Sequence, residues 1–259
     1  METYKYKCFG SDQQTGNVAY VIIDEQMSGV ERQNFATQIN VPVVVFIDKI
    51  ANDVVNVSFY YPHKISPLCL HGSLATAKFL FSTHTSLQQL TIESSFGKKI
   101  LATKNNDAIS LQMNFEYIQD GEQYREQTGK LLNINTDNIA NKIIISSVGS
   151  PKLLVEVKSK DALFDLSPDL QAIDSWNKQT CINGIYAYCH HDGKIYARNF
   201  NHLDAKLEDS ATCVAASALC YYLKRNIAVL QGYNLANPCQ LNVVYDLDKI
   251  ALSGLVTSL

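Results

Sequence analysis

Two stretches of this chain repeat one design, a polar residue at the mouth of a helix built almost wholly from small apolar residues. They are Leu68-Cys69-Leu70-His71-Gly72-Ser73-Leu74-Ala75-Thr76-Ala77 and Glu208-Asp209-Ser210-Ala211-Thr212-Cys213-Val214-Ala215-Ala216. In the second, Ala211, Val214, Ala215, Ala218, Leu219 and Tyr222 follow a helical stripe, and Cys213, Ala216 and Cys220 leave the other side small and apolar as well. A helix of that kind is buried all round, so a sheet must wrap it closely. The first turn of a helix offers unpaired backbone N–H groups and the positive end of the helix dipole. Two such starts brought face to face make a pocket for a small carboxylate, with His71, Asp209 and Cys69 at hand.

The rest of the chain reads mainly as strand. Runs rich in Val, Ile, Tyr and Phe at 17–23, 41–48, 54–61, 87–93, 98–103, 108–117, 142–147, 152–158, 182–189, 194–200, 240–247 and 250–256 are separated by turn signals such as Asp120-Gly121 and Asp192-Gly193. Helical patterns are fewer, at 28–39, 72–83, 168–179 and 209–225. Their order repeats: Gly16-Asn17, a strand, a helix, strands and the helix at Gly72 are echoed by Gly149-Ser150, a strand, a helix, strands and the helix at Asp209. This predicts an α+β fold of two pseudo-symmetric domains, each a curled, mostly antiparallel sheet around a central helix. The expected bounds are 1–132 and 142–245, with 133–141 as linker and 246–259 returning to the first domain. A ligand site in the cleft between domains follows as an expectation.

Composition narrows the function classes. The 259 residues carry a formal charge of −3, and Lys and Arg are scattered, so no nucleic-acid footprint is expected. No apolar run approaches the roughly 20 residues of a spanning helix, and the start lacks the apolar core of a secretory leader; a cytoplasmic protein without membrane attachment is the expectation. Seven cysteines without CxxC spacing argue for free thiols over disulfides or structural zinc. Cys189-His190-His191 is metal-like in isolation, but neighbours on a strand point to opposite faces, so no metal site is expected there.

At these residues the chain resembles the phenazine-biosynthesis PhzF family, which shares the diaminopimelate epimerase fold. The family's early Phe…Gly-Asn…Ala pattern appears as Phe9…Gly16-Asn17-Val18-Ala19, and its Gln…Ala…Asn helix as Gln33, Ala36 and Asn40. Its Leu-Cys-Gly-His-Ala-Thr-Leu-Ala appears as Leu68 to Ala75. Its Arg-x-Phe-x-Pro and Glu-Asp-Pro-Ala-Thr-Gly-Ser-Ala appear as Arg198-Asn199-Phe200-Asn201-His202 and Glu208 to Ala215. The resemblance implies an isomerase, dimeric in the family, in which a Glu moves a proton on a cyclic dihydro-hydroxy-anthranilate or similar small acid. A His and an Asp hold the substrate, without metal or organic cofactor.

The chain departs from that pattern where the chemistry is carried. Val43 stands where the Glu belongs, in Asn40-Val41-Pro42-Val43, and loss of a positioned acid or base typically costs about 10² to 10⁴ in rate. Leu70 and Cys213 replace glycines, Val214 a serine, and Ser210 and His202 prolines. The candidate catalytic residues are therefore His71, Asp209 and Cys69, with Gly72, Ser73, Ser210, Thr212 and Cys213 lining the ligand. Each has a structural alternative: His71 and Asp209 as helix caps, Cys69 as a packed thiol whose counterpart in the second half is Thr212. Two function readings stay open, an isomerase using one of these three residues and a catalytically silent relative that binds a ligand.

Overall fold

The computed structural model describes residues 1–24, 26–106, 108–200, 208–247 and 249–259. The fold is α+β, and the chain divides into two compact units, residues 1–113 with 251–259 and residues 114–250. The residues expected as a linker, 133–141, fall inside the second unit, where Leu131, Leu132 and Ile139 belong to the core.

In the first unit, β1 (Glu2–Cys8), β2 (Asn17–Ile23), α1 (Gly29–Ile39), β3 (Val43–Ala51), β4 (Val54–Tyr61), β5 (Lys64–Ser66), α2 (Leu70–Thr83), β6 (Gln89–Ser94), β7 (Lys99–Asn105) and β8 (Ala108–Met113) follow in order. Strand β1 pairs antiparallel with β2, β2 parallel with β3, β3 antiparallel with β4, β4 parallel with β6, and β6 antiparallel with β7. Side chains alternate between the faces of a strand. Val44, Phe46, Ile22 and Tyr60 therefore turn to one face, where they pack with Ala36 of α1. Val45 and Phe59 turn to the other, against α2. Helix α1 starts on a capping box: the Ser28 hydroxyl accepts from the Glu31 N–H, and the Glu31 carboxylate accepts from the Ser28 N–H.

The second unit runs β9 (Tyr117–Asp120), α3 (Arg125–Leu132), β10 (Ile144–Ser147), β11 (Lys152–Glu156), α4 (Lys160–Phe164), α5 (Leu170–Thr180), β12 (Ile185–His191), β13 (Lys194–Phe200), β14 (Glu208–Asp209), α6 (Cys213–Leu223), β15 (Ile227–Gln231) and β16 (Cys239–Asp246). Its pairing repeats the first unit's alternation: β10 antiparallel to β11, β11 parallel to β12, β12 antiparallel to β13, β13 parallel to β15, β15 antiparallel to β16. One face, with Leu153, Val155, Ile185, Ala187 and Phe200, packs on Trp176 and Ile173 of α5. The opposite face meets α6, and there the Ser146 hydroxyl donates to the Ala218 carbonyl. Strands β17 (Lys249–Ser253) and β18 (Val256–Ser258) end the chain, and β18 pairs antiparallel with β1 of the first unit.

Several expected boundaries move. The run at 108–117 is two strands, β8 and β9, because the ladder is broken at residues 114–116. Helix α2 starts at Leu70, which places His71 inside the first turn rather than ahead of it. Helix α6 starts at Cys213 with Thr212 as its N-cap, so Asp209 is not a cap residue; it lies on β14, paired with Asn199 of β13.

Candidate functional site

The cap residues of the two buried helices are Cys69 for α2 and Thr212 for α6, and neither side chain caps its own helix. At α2 the thiol turns instead to the imidazole two residues on: Cys69 Sγ lies 3.3 Å from His71 Nδ1. Burial pushes the Cys69 thiol up, but the charge and hydrogen bond of His71, the Gly72 N–H and the Tyr61 hydroxyl together bring it below the usual thiol value. The result is a pair of a buried thiol and a half-buried imidazole, close enough to hydrogen-bond. Ser73 is spent within the helix, its hydroxyl donating to the Cys69 carbonyl at 2.8 Å. Gly72 is needed for packing: a Cβ there would lie 2.9 Å from Val45 Cγ2 and 3.1 Å from Phe59 Cδ1.

At α6 the polar groups form a wider network within the second unit. The Thr212 hydroxyl donates to Asp209 Oδ2 at 2.6 Å, and Asp209 Oδ1 accepts from the Ala211 N–H at 3.3 Å, so the carboxylate is held at the positive end of the helix. Gln231 ties the segment down, donating from Nε2 to the Asp209 carbonyl at 2.7 Å and to the Thr212 hydroxyl at 3.1 Å. The Tyr186 hydroxyl donates to Gln231 Oε1 at 3.1 Å, and burial raises its pKa well above the ordinary phenol value. Ser210 accepts from Asn237 Nδ2 at 2.9 Å, while Cys213 is buried at the start of the helix. Gly232, at φ 80°, lets the chain turn directly behind Ser210; a Cβ there would come within 2.9 Å of the Ser210 carbonyl oxygen.

Behind Asp209 the chain is clamped. Arg198 grips Glu208 with Nε–Oε1 at 3.0 Å and Nη2–Oε2 at 2.7 Å, and its Nη1 donates to the carbonyls of Leu163, Phe164 and Leu166. The two side chains are only 8% and 9% exposed. A bidentate pair whose remaining N–H groups are satisfied fixes geometry as well as charge, and it fixes the strand that carries Asp209.

Two residues that no sequence motif pointed to lie on the α6 face of the sheet. Lys152 on β11 is 3% exposed and donates from Nζ to the Asn183 carbonyl; burial lowers its pKa to about 8 against the opposing pull of Asp209. Asn199 on β13 is fully buried between Tyr186 and Asp209 in the ladder, and neither atom of its carboxamide has a partner among the described residues. An orphaned buried group of this kind costs about 1–3 kcal/mol.

A family model described as phenazine biosynthesis-like protein, PhzC-PhzF, matches residues 6–251. The chain belongs to the PhzF family. It is 27% identical over 237 residues to an uncharacterized isomerase of Clostridium acetobutylicum, an alignment covering 85% of this chain and 78% of the relative. Among solved structures it is similar in fold to a Bacillus anthracis PhzF-family phenazine biosynthesis protein, with a TM-score of 0.86 at 20% identity over 100% of this chain and 98% of the other. It is also similar to a hydroxyproline epimerase of Agrobacterium vitis with bound trans-4-hydroxy-L-proline, with a TM-score of 0.60 at 10% identity over 99% and 90% of the two chains.

Within the PhzF pattern, Val43 opens β3 fully buried, on the same face as Val45 and hence on the side of α2. Asn201 and His202 of the family's Arg-x-Phe-x-Pro stretch lie outside the described residues. Among the described residues no cluster of His, Cys, Asp and Glu could hold a metal; on β12 Cys189 is buried, with its thiol raised to about 11 by burial, while His190 and His191 are exposed. No helix among them is long and apolar enough to cross a membrane.

Proposed function

We propose that this PhzF-family protein binds a small carboxylate-bearing molecule at the starts of its buried helices and moves a proton on it without a cofactor. The observation that carries the reading is the Cys69–His71 pair, a sulfur and an imidazole nitrogen 3.3 Å apart in the first turn of a buried helix. A thiol held below its usual pKa, beside an imidazole within hydrogen-bond distance, is a candidate to carry a proton, which a valine at the family's Glu position cannot be. The backbone N–H groups opening α2 and α6 suit a carboxylate, and Asp209, oriented by Thr212 and Ala211, suits an amine or hydroxyl of the same ligand. The family's isomerase relatives support the reaction class.

Val43 favours a second reading, a catalytically silent member that keeps the fold and binds the ligand. Solvent exchange separates the two. Incubated in heavy water with dihydro-hydroxy-anthranilate-type acids and a panel of amino and hydroxy acids, the wild-type protein is expected to place deuterium on carbon, and His71→Ala and Asp209→Ala each to slow this by about 10²-fold or more. No incorporation into any member of the panel, with binding retained, would leave the silent reading standing.

A further inference from the structure

Gln231 ends β15 fully buried, and two of the groups around its carboxamide can act in one sense only. A backbone N–H donates and a carbonyl accepts. The Thr212 N–H, 3.3 Å from Oε1, and the Asp209 carbonyl, 2.7 Å from Nε2, therefore fix which end of the amide is which. The hydroxyls around it then have no choice of direction. The Tyr186 hydroxyl donates to Oε1 at 3.1 Å, and burial keeps that phenol protonated, so it stays a donor. The Thr212 hydroxyl accepts from Nε2 at 3.1 Å, which leaves its one proton for Asp209 Oδ2 at 2.6 Å. That short O–H···O contact is the length of a bond to an ionised acceptor. Asp209 Oδ1 meets another donor of fixed sense, the Ala211 N–H at 3.3 Å. A proton placed on Oδ2 would point at the proton of Thr212.

We propose that Gln231 is a positioning residue which, through Thr212, holds Asp209 as a carboxylate able only to accept. In the proton transfer proposed above, on which this role rests, Asp209 then orients or takes a proton, and the acid is another group. Gln231 itself touches no ligand. It is fully buried and acts through Asp209, which is half-buried. A donor aimed in advance at the charged group needs no rearrangement when the reaction occurs.

Gln231→Glu keeps the size of the side chain and removes the donor, so the Thr212 hydroxyl is expected to turn to the new acceptor and release Asp209. Neutron crystallography of the perdeuterated full-length protein near pH 7 reads this without a substrate. In wild type the deuteron on Thr212 Oγ1 is expected to point at Asp209 Oδ2, with none on the Asp209 carboxyl; in Gln231→Glu the Thr212 deuteron is expected to face residue 231. A deuteron on Asp209 in wild type, or the same Thr212 orientation in both proteins, overturns the assignment. In the heavy-water exchange assay Gln231→Glu is expected to lower kcat about tenfold or more with KM within about threefold, because orientation is lost and the binding groups are not. Should the glutamate fail to fold, Thr212→Val, which keeps the shape and removes the hydroxyl, reads the same loss. Wild type that exchanges, with kcat unchanged in the variant, overturns the positioning role alone. Wild type that exchanges nothing overturns the proton-transfer reading and this role with it.

Discussion

Lys152 illustrates how far a single charge can bend stability when the fold buries it. Its pKa falls from 10.5 to about 8 because burial penalises the ammonium more than Asp209 favours it. The folded state therefore binds that proton more weakly than the unfolded chain does. Below pH 8 the whole penalty is present, and it is relieved as pH rises from 8 towards 10.5. Lys152→Met is expected to stabilise the protein at pH 7 by about 1–3 kcal/mol, an advantage that shrinks towards zero near pH 10.5. Urea denaturation at the two pH values checks this; equal gains at both would show that the ammonium is not what the site penalises. Neither Lys152 nor Asn199 could be picked out from the sequence, since both sit in ordinary strand patterns. Only the pairing of strands distant in sequence sets them beside Asp209. The sequence draws attention to His71, Cys69 and Asp209 because a polar residue at the mouth of an all-apolar helix is conspicuous along the chain, yet the contact between Cys69 and His71 was not read from it.

At the scale of elements, the two buried helices were legible from their small-residue faces, and their starts were misplaced for a physical reason. Asp209 carries a strong cap signal, but the Arg198–Glu208 clamp holds its neighbour in β14, so the helix waits until Cys213. Strand β15 was hidden because Ile227-Ala228-Val229-Leu230 follows directly on a helix and shows no alternation, and β1 because Tyr4-Lys5-Tyr6-Lys7 reads as a polar terminus although Tyr6 and Cys8 are buried. Gly72 carries the close approach of α2 to its sheet. Gly72→Ala places a methyl 2.9 Å from Val45 and 3.1 Å from Phe59, an overpacking expected to cost about 1–3 kcal/mol. Thermal denaturation reads it; no loss of stability would show that α2 stands off β3 and β4 more freely than its packing implies.

Over the whole molecule, the alternation antiparallel, parallel, antiparallel, parallel, antiparallel recurs in each unit around one buried helix. The repeated order of elements along the sequence carries this because each unit needs a crossover before every parallel pair. Membership of the PhzF family accounts for that architecture. The account turns on where a small acid binds. A crystal structure of the full-length protein grown with anthranilate is expected to show its carboxylate on the backbone N–H groups that open α2 or α6, within hydrogen-bond reach of the Cys69–His71 pair or of the groups around Asp209. Density for the acid only elsewhere, with both helix starts filled by protein side chains, would contradict it.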